Sequence, residues 1–198
     1  MLVSFEEALR LLQQEDVVAL PTETVYGLAV KYDSQKGIEK LYTMKGRPEQ
    51  KPLTVNLYKA QDLKKFLKTS PPGLEKLVKH FWPGPLTIVL EVKEDLILPI
   101  VRSGGSTCGF RIPDHTLTRQ LIEVLGPVVL PSANLSGMPA AINREQIEKD
   151  FGEKIPVLDG RDCRIGIAST VIVFDKGKWK ILREGAISQE ELDLILKN

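Results

Sequence analysis

Blocks of apolar and polar residues along the chain predict seven helical segments. Ser4 and Glu7 form a capping-box pattern just ahead of an apolar run at 8–12, which predicts that a helix begins there. Ser188 and Glu191 repeat the pattern and predict a C-terminal helix. Periodicity and breaker residues predict the other helices at about 35–45, 62–68, 74–80, 116–125 and 143–151, the last with Asn143 as its cap.

Short runs of β-branched and aromatic residues predict strands between these helices. The runs lie at 17–20, 51–58, 85–92, 106–112, 128–134, 169–175 and 178–184, and Lys176-Gly177-Lys178 is a hairpin signal between the last two. The segment PTETVYGLAV, at 21–30, is assigned no strand. Frequent short strands and a hairpin favour an α/β fold with a twisted, mixed and largely antiparallel sheet flanked by helices. They argue against a doubly wound parallel sheet.

Length and charge narrow the class of protein. A chain of 198 residues is predicted to form one domain, 1–198, with 42% apolar and 27% charged residues, as in ordinary soluble globules. The net charge of +1 says nothing about partners. Region 31–68 departs from this balance, because it carries ten Lys or Arg against four Asp or Glu. Such a patch suits ATP phosphates or an RNA backbone, although its few aromatics support a base-stacking platform poorly.

Several kinds of site are excluded or disfavoured. The chain has no P-loop, no GxGxxG after a strand, no GxSxG elbow and no HExxH helix. Cys108 and Cys163 lack zinc-ligand spacing, so we expect two buried, reduced thiols and no metal site. We expect His80 to be structural and His115 to be a surface or capping group. An acidic N-terminal segment and the lack of an apolar run of about 18 residues predict a cytoplasmic protein with no membrane contact.

Hydroxyl and amide side chains recur where predicted strands end, and basic residues lie in the loops between them. Such groups suit phosphate oxygens, although each one alone is more often an ordinary cap or a solvated charge. The polar residues are Thr22, Thr24, Ser106, Thr107, Ser132, Asn134, Ser169 and Thr170, and the basic ones are Lys45, Arg47, Lys51, Arg102, Arg111 and Arg183.

An ordered set of motifs spans nearly the whole chain. It consists of PTETVYGL at 21–28, KGRPEQKPL at 45–53, TCGFRIPDH at 107–115, PSANLSG at 131–137, LDGRDCRIGIASTVIVFD at 158–175 and ILREG at 181–185. In this order the motifs resemble the YrdC-like family of L-threonylcarbamoyladenylate synthases, in its short, single-domain, TsaC-like form. The resemblance implies a twisted mixed sheet around a deep, positively lined cavity.

The resemblance also implies an activity and its partners. The substrates would be ATP with Mg²⁺, L-threonine and bicarbonate or CO2, and the products threonylcarbamoyl-AMP and pyrophosphate, with no tightly bound cofactor. The adenylate would pass to a separate complex that transfers the threonylcarbamoyl group to tRNA, and tRNA could contact the basic cavity. In the implied mechanism, threonine captures CO2 and its N-carboxylate attacks the α-phosphate. Positioning and charge stabilisation then matter more than a protein nucleophile.

Residue roles follow from the same motifs. Thr24, Asn56, Arg111 and Ser169 match threonine-binding positions; Arg47, Lys51, Thr107, Ser132, Asn134, Ala140 and Arg183 match ATP-binding positions; Lys45, Arg47 and Lys51 are the expected catalytic residues. Lys45 and Asn134 are also expected to line the cavity.

The chain departs from the family pattern at three positions. Asn56 stands where many relatives have His, but its amide still offers a donor and an acceptor. Ala140 stands where a Ser often touches ATP, so one hydrogen bond of about 0.5–1.5 kcal/mol is lost. Arg161 stands where Gly is common.

Two other readings stay open. A YciO-like paralogue without synthase activity would use the same fold to bind double-stranded RNA or tRNA, with binding that weakens steeply with salt. A carbamoyl-transfer enzyme is the second, since related domains occur in hydrogenase-maturation proteins; those are larger and carry zinc-finger cysteines. A purely structural subunit is disfavoured by the anion-binding groups.

Overall fold

The computed structural model describes residues 1–46, 48, 50–161 and 163–197. The described residues form one ten-stranded sheet in the order β1-β8-β2-β3-β7-β4-β6-β5-β9-β10. Its strands are β1 (Leu2–Val3), β2 (Val18–Leu20), β3 (Gly27–Lys31), β4 (Thr54–Asn56), β5 (Leu86–Glu91), β6 (Thr107–Arg111), β7 (Val128–Val129), β8 (Val157–Leu158), β9 (Thr170–Asp175) and β10 (Lys178–Arg183).

Seven helices accompany the sheet: α1 (Phe5–Gln13), α2 (Gln35–Lys45), α3 (Leu63–Phe66), α4 (Leu74–Phe81), α5 (Thr116–Leu125), α6 (Arg144–Phe151) and α7 (Gln189–Lys197). Short 3₁₀ turns lie at Ala60–Asp62, Glu94–Leu96 and Gly152–Lys154. No helix among the described residues is long and apolar enough to span a bilayer.

The sheet is mixed, as the sequence predicts. Five of the strand pairs between described residues are antiparallel (β2–β3, β3–β7, β4–β7, β5–β6 and β9–β10) and four are parallel (β1–β8, β2–β8, β4–β6 and β5–β9). The α/β fold class with flanking helices is therefore confirmed.

Three strands escaped the sequence analysis. The segment assigned no strand contains β3, which pairs with β2 and is buried over its first four residues. A strand buried on both faces has no alternation to detect. The other two, β1 and β8, have two residues each, and they pair in parallel although they are far apart in the chain, with Leu2 opposite Val157. No local pattern reports such a pairing.

Helix starts follow the predicted caps. The Ser4 hydroxyl accepts a hydrogen bond from the Glu7 amide, and Asn143 caps α6 through the Gln146 amide. At α7 the capping box is reciprocal, because the Ser188 amide also donates to the Glu191 carboxylate at 2.8 Å. Each cap satisfies amides that the first helical turn leaves without partners.

The β9–β10 hairpin confirms the predicted turn but shortens it. Lys176 and Gly177 have φ values of 49° and 80°, and Lys178 already belongs to β10. Two consecutive residues with positive φ are typical of a type I′ turn, whose twist matches that of the flanking strands.

Two apolar clusters lie on opposite faces of the sheet. Val18 and Leu20 of β2 pack with α1 and α5, whereas Ala19 belongs to the larger cluster on the other face. In the larger cluster Phe66 of α3 contacts Phe110 of β6, with ring centroids 5.6 Å apart. Side chains that alternate along β2 therefore feed two separate cores.

The two cysteines differ in exposure. Cys108 is buried, and burial raises the pKa of its thiol to about 12. Cys163 is only half-buried, so the expectation of two buried thiols is wrong for it. Neither cysteine forms a disulfide.

Gly185 follows β10 at a point where two backbones almost touch. A Cβ there would lie 2.3 Å from the Ala168 carbonyl oxygen and 2.4 Å from the Thr170 amide nitrogen. Neither atom can move without disturbing the start of β9. Glycine is required at this position for close approach.

We therefore expect Gly185→Ala to lower the free energy of unfolding by about 1–3 kcal/mol, the usual cost of overpacking. Gly105→Ala is the matched control, because a Cβ at Gly105 would meet only Arg102 O, at 3.4 Å. Urea denaturation of both variants measures the difference, and equal stability of the two would contradict the close approach.

Candidate functional site

The central cavity lies over one face of the middle strands. Its volume is about 260 Å³. Its lining follows the alternation of the strands: Thr54 and Asn56 on β4, Thr87 and Val89 on β5, Thr107, Gly109 and Arg111 on β6, and Ser169 and Val171 at the start of β9. The register places Asn56 beside Arg111 and Thr54 beside Gly109. The sheet itself therefore supplies a polar wall from four adjacent strands.

Gly109 keeps the middle of this wall open. A Cβ at Gly109 would lie 3.2 Å from the Thr54 hydroxyl and 3.3 Å from a methyl carbon of Thr87. A larger residue would occupy the space between two hydroxyl-bearing side chains. The glycine of the TCGFRI motif thus shapes the cavity.

Arg111 is held by three partners at one end of the cavity. Its Nε donates to the Gly84 carbonyl at 3.1 Å, and its Nη2 donates to Glu23 Oε1 at 2.7 Å and to Thr24 Oγ1 at 2.8 Å. The side chains of Arg111 and Glu23 are 10% and 2% exposed, so this is a buried ion pair.

Thr24 lies behind the cavity wall. It is fully buried and is absent from the residues that line the cavity. Its hydroxyl accepts from Arg111 and lies 2.8 Å from the hydroxyl of Thr22. Since the Thr22 hydroxyl donates to the Val25 carbonyl, the proton between the two threonines comes from Thr24. The Thr24 hydroxyl therefore has no donor left for a ligand, and it supports Arg111.

Ser169 and Arg183 form a second polar group on the wall. The Ser169 hydroxyl lies 2.8 Å from the hydroxyl of Thr87, and Arg183 Nη2 donates to the Ser169 carbonyl at 2.7 Å. Both Ser169 and Arg183 line the cavity. A guanidinium beside two hydroxyls is a suitable environment for an anionic oxygen.

Lys45 lies beneath the 132–138 loop and not on the cavity surface. It is 2% exposed, and its Nζ donates to the carbonyl oxygens of Ser132 and Asn134, the latter at 2.7 Å. The Ser136 amide in turn donates to the Lys45 carbonyl. Lys45 is not among the residues that line the cavity, because its ammonium group binds carbonyl oxygens of the loop.

Asn134 is also directed into the 132–138 loop. Its amide nitrogen donates to the Leu135 and Met138 carbonyls, and its Oδ1 accepts from the Ser132 hydroxyl at 2.6 Å. Asn134 is absent from the cavity lining, contrary to expectation, whereas Ser132 is present in it. Asn134 therefore shapes the loop that presents Ser132.

The predicted site residues thus divide into groups. Those that line the cavity are Asn56, Thr107, Arg111, Ser132, Ser169 and Arg183; those behind its wall are Thr24, Lys45 and Asn134; Lys51 and Ala140 lie outside its lining; Arg47 lies outside the described residues. Among the described lining residues only Arg111 and Arg183 carry charge.

Three residues that the sequence analysis did not single out belong to the site. Glu23 is the counter-ion of Arg111, Thr87 is the partner of Ser169, and Tyr26 lines the cavity while its hydroxyl accepts from the Gly160 amide and donates to the Arg161 carbonyl. Glu23 and Tyr26 lie inside PTETVYGL, so the motif marked the segment but not these side chains. The Tyr26 clamp also holds Arg161, whose φ is 68°.

A second opening, the outer cavity, adjoins the central cavity. It has a volume of about 640 Å³ and shares Val89, Thr107 and Leu182 with the central cavity. Together the two follow the same face of β5 and β9 toward the β9–β10 hairpin. The combined space is extended rather than round.

His115 lies beside Gly160 in a tight setting. It occupies the cap position of α5 but makes no capping hydrogen bond, and its Nδ1 is buried without a partner among the described residues. A Cβ on Gly160 would lie 2.8 Å from its Cε1. Burial lowers the pKa of His115, although Glu23 and Asp114 oppose this shift. The other histidine, His80, is exposed to solvent, away from the cavity. The edge of its ring contacts the ring of Phe81.

The family comparison agrees with the motif pattern. The Sua5_yciO_yrdC family model, described as telomere recombination, matches residues 10–185. A Bacillus subtilis threonylcarbamoyl-AMP synthase is 38% identical over 192 residues, which is 96% of this chain and 56% of the relative. The chain spans about half the length of the first curated relatives that it matches.

Two solved structures share the fold. The crystal structure of Pyrococcus abyssi Sua5 complexed with L-threonine matches with a TM-score of 0.94 and 32% identity, over 99% of this chain and 61% of that one. The crystal structure of Escherichia coli YciO matches with a TM-score of 0.83 over 94% of this chain and 91% of that one. At 20% identity the second match shows the fold alone.

The position of Lys45 predicts its effect on stability. Lys45→Met removes the donor for two buried carbonyl groups, and we expect it to lower the free energy of unfolding by about 1–3 kcal/mol. The control is Lys51→Met, because Lys51 is exposed. Urea denaturation compares them, and a Lys45→Met variant as stable as Lys51→Met would refute a supporting role for Lys45.

The buried Nδ1 of His115 predicts that the stability of the folded protein depends on pH. Because the folded state lowers its pKa, the unfolded state takes up a proton first, near the ordinary value of about 6.5. This contribution to stability should be complete above about pH 7 and decline as the pH falls through 6.5 toward the folded pKa. His115→Gln should remove that slope in denaturation curves, while the exposed His80→Gln should keep it. An unchanged slope in His115→Gln would assign it to other groups.

Proposed function

The chain belongs to the Sua5–YciO–YrdC family, and on that premise we propose that it is an L-threonylcarbamoyladenylate synthase. The observation that carries the proposal is the polar wall of the central cavity, where Arg111 and Asn56 are adjacent at one end and Ser169 and Arg183 form a second anion-binding group. The products would be threonylcarbamoyl-AMP and pyrophosphate. The described residues form one continuous sheet, which supports treating 1–198 as one catalytic unit.

In the proposed reaction, the amine of threonine attacks CO2 and loses a proton to give an N-carboxylate. One of its oxygens then bonds to the α-phosphorus of ATP, while the bond from that phosphorus to the α–β bridging oxygen breaks and pyrophosphate leaves. Both reactants are anions, so the site must hold them in contact and stabilise their charge. This task needs no protein nucleophile.

We assign the Arg111 end to threonine. The Arg111 Nη1 has no partner among the described residues, and Asn56 beside it is 2% exposed with only its Nδ2 engaged, to the Thr54 carbonyl at 3.2 Å. The Asn56 side-chain oxygen therefore remains to accept from a ligand. Such a pair could bind a carboxylate and an ammonium or hydroxyl group of one small zwitterion.

ATP would extend from Ser132 and Arg183 toward the outer cavity. The central cavity, at about 260 Å³, is smaller than typical pockets for drug-sized ligands, which begin at about 300 Å³. Two substrates therefore need the adjoining space at Thr107. Lys51 and Arg47 would contribute charge to ATP binding, and Mg²⁺ would arrive with ATP as part of the substrate.

The product implies a following step in tRNA modification. A mixed anhydride of this kind is reactive toward water and amines, so a separate enzyme that transfers the threonylcarbamoyl group to tRNA would consume it, in the cytoplasm. If tRNA contacts this chain directly, the exposed lysines of region 31–68 would bind it. Two of these lysines already pair with acids, Lys31 with Asp33 and Lys40 with Asp16.

The test is pyrophosphate release from ATP by the purified protein. We expect release only when L-threonine and bicarbonate are both present, and omission of either one should return the rate to background. Release with ATP alone would indicate a simple hydrolase. No release under any combination, together with salt-sensitive RNA binding, would favour the YciO-like alternative.

A pair of variants on one strand tests the wall itself. Arg183→Gln should reduce the rate by about 100-fold, the usual effect of losing one charge-stabilising donor. Lys178→Gln is the control, because Lys178 lies on the same strand, is exposed and lines neither cavity. Equal rates in the two variants would remove Arg183 from the reaction.

A further inference from the structure

Glu23 combines deep burial with a complete set of partners. Its side chain is 2% exposed, and it lies between β2 and β3 without lining the central cavity. Its Oε1 accepts from Arg111 Nη2 and its Oε2 accepts from the Asp114 amide at 3.0 Å. Its backbone carbonyl accepts from the Ile165 amide at 2.8 Å. Backbone and side chain are thus both fixed, so the carboxylate cannot turn.

Three of the five N–H groups of Arg111 are engaged by protein groups. A guanidinium has five N–H groups. One, on Nε, is used by Gly84, and the two on Nη2 are used by Glu23 and Thr24. The two hydrogens on Nη1 remain. Arg111 can therefore meet a ligand only end-on through Nη1, and not with the side-on fork that arginine usually offers a carboxylate.

The positive charge of Arg111 is also balanced within the protein, by Glu23. Glu23 is its counter-ion at 2.7 Å in a buried setting, so the pair carries no net charge toward the cavity. A ligand carboxylate at Nη1 would consequently be held by the direction of the N–H groups more than by net attraction. Such a contact depends strongly on the angle at which the guanidinium is held.

We propose that Glu23 is the positioning residue of the site: it fixes the plane of the Arg111 guanidinium so that Nη1 alone faces the substrate carboxylate. The consequence for threonine rests on the function proposed above. The orientation of Arg111 itself does not depend on that function. Glu23 touches no substrate in this arrangement and acts only through Arg111.

The first experiment measures Arg111 without any substrate. NMR of ¹⁵N-labelled arginine side chains, with Arg111→Lys for assignment, reports rotation of the guanidinium. We expect resolved Nη signals for Arg111 in the original protein and averaged signals in Glu23→Gln. Glu94→Gln is the matched control, because Glu94 pairs with Arg102 away from the cavity. Unchanged Arg111 signals in Glu23→Gln would overturn the proposal.

A second variant covers the case in which Glu23→Gln does not fold. Glu23→Asp keeps the charge but withdraws it by one methylene, so the Arg111 signals should shift while the Glu94→Gln control leaves them in place. If the Arg111 signals are identical in Glu23→Asp and the original protein, Glu23 does not position Arg111.

The kinetic experiment separates positioning from general stability. At a temperature where all variants are folded, Glu23→Gln should raise the KM for L-threonine by roughly tenfold or more and leave the KM for ATP within about twofold. A merely structural Glu23 would lower the melting temperature with no selective change in KM, and that result would count against the proposal. If the original protein shows no threonine-dependent turnover, the proposed function fails, and the NMR result alone decides the role of Glu23.

Discussion

A buried guanidinium is stable only where its charge is compensated, and the site is organised around one such group. Removing one partner of a buried ion pair typically costs about 3–5 kcal/mol, because the other charge is left without compensation. Three groups from two segments bind Arg111: the Gly84 carbonyl before β5, and Glu23 and Thr24 between β2 and β3. Glu23 extends the connection to the Asp114 amide and to Ile165. The strands and loops that enclose the cavity are thereby tied to one point.

This arrangement changes how the cavity handles anions. The resemblance implies a positively lined cavity, but Lys45 binds loop carbonyls inside the protein, and Arg111 is paired with Glu23. Among the described lining residues, Arg183 is the remaining guanidinium, and it is tied to Ser169. At Arg111 the cavity therefore presents oriented N–H donors more than net charge. Preorganised donors of this kind lower a barrier without reorganising during the reaction.

The fold by itself does not choose between an enzyme and a binding protein. YciO shares the architecture with a TM-score of 0.83 at 20% identity, and one fold commonly hosts several functions. The proposed function rests instead on particular side chains, namely the Asn56 and Arg111 pair and the Ser169 and Arg183 group. The side-chain oxygen of Asn56 has no partner among the described residues and remains to accept a hydrogen bond.

The sequence by itself determined what depends on neighbours along the chain. The caps at Ser4, Asn143 and Ser188 and the β9–β10 turn were predictable, because each is decided by contacts within about four residues. The motif order identified the family and the segments that carry the site. The strand β3 was missed because a strand buried on both faces lacks alternation.

Only the tertiary structure decided which polar side chains face the cavity and which are buried in the protein interior. Lys45 and Arg111 are both basic residues in family motifs, yet one is buried under a loop and the other meets the cavity. Glu23 and Arg111 are 88 residues apart in the chain, and no local pattern encodes their pairing. Burial makes such pairing obligatory, because a charge removed from water must find its partner wherever the folded chain brings one.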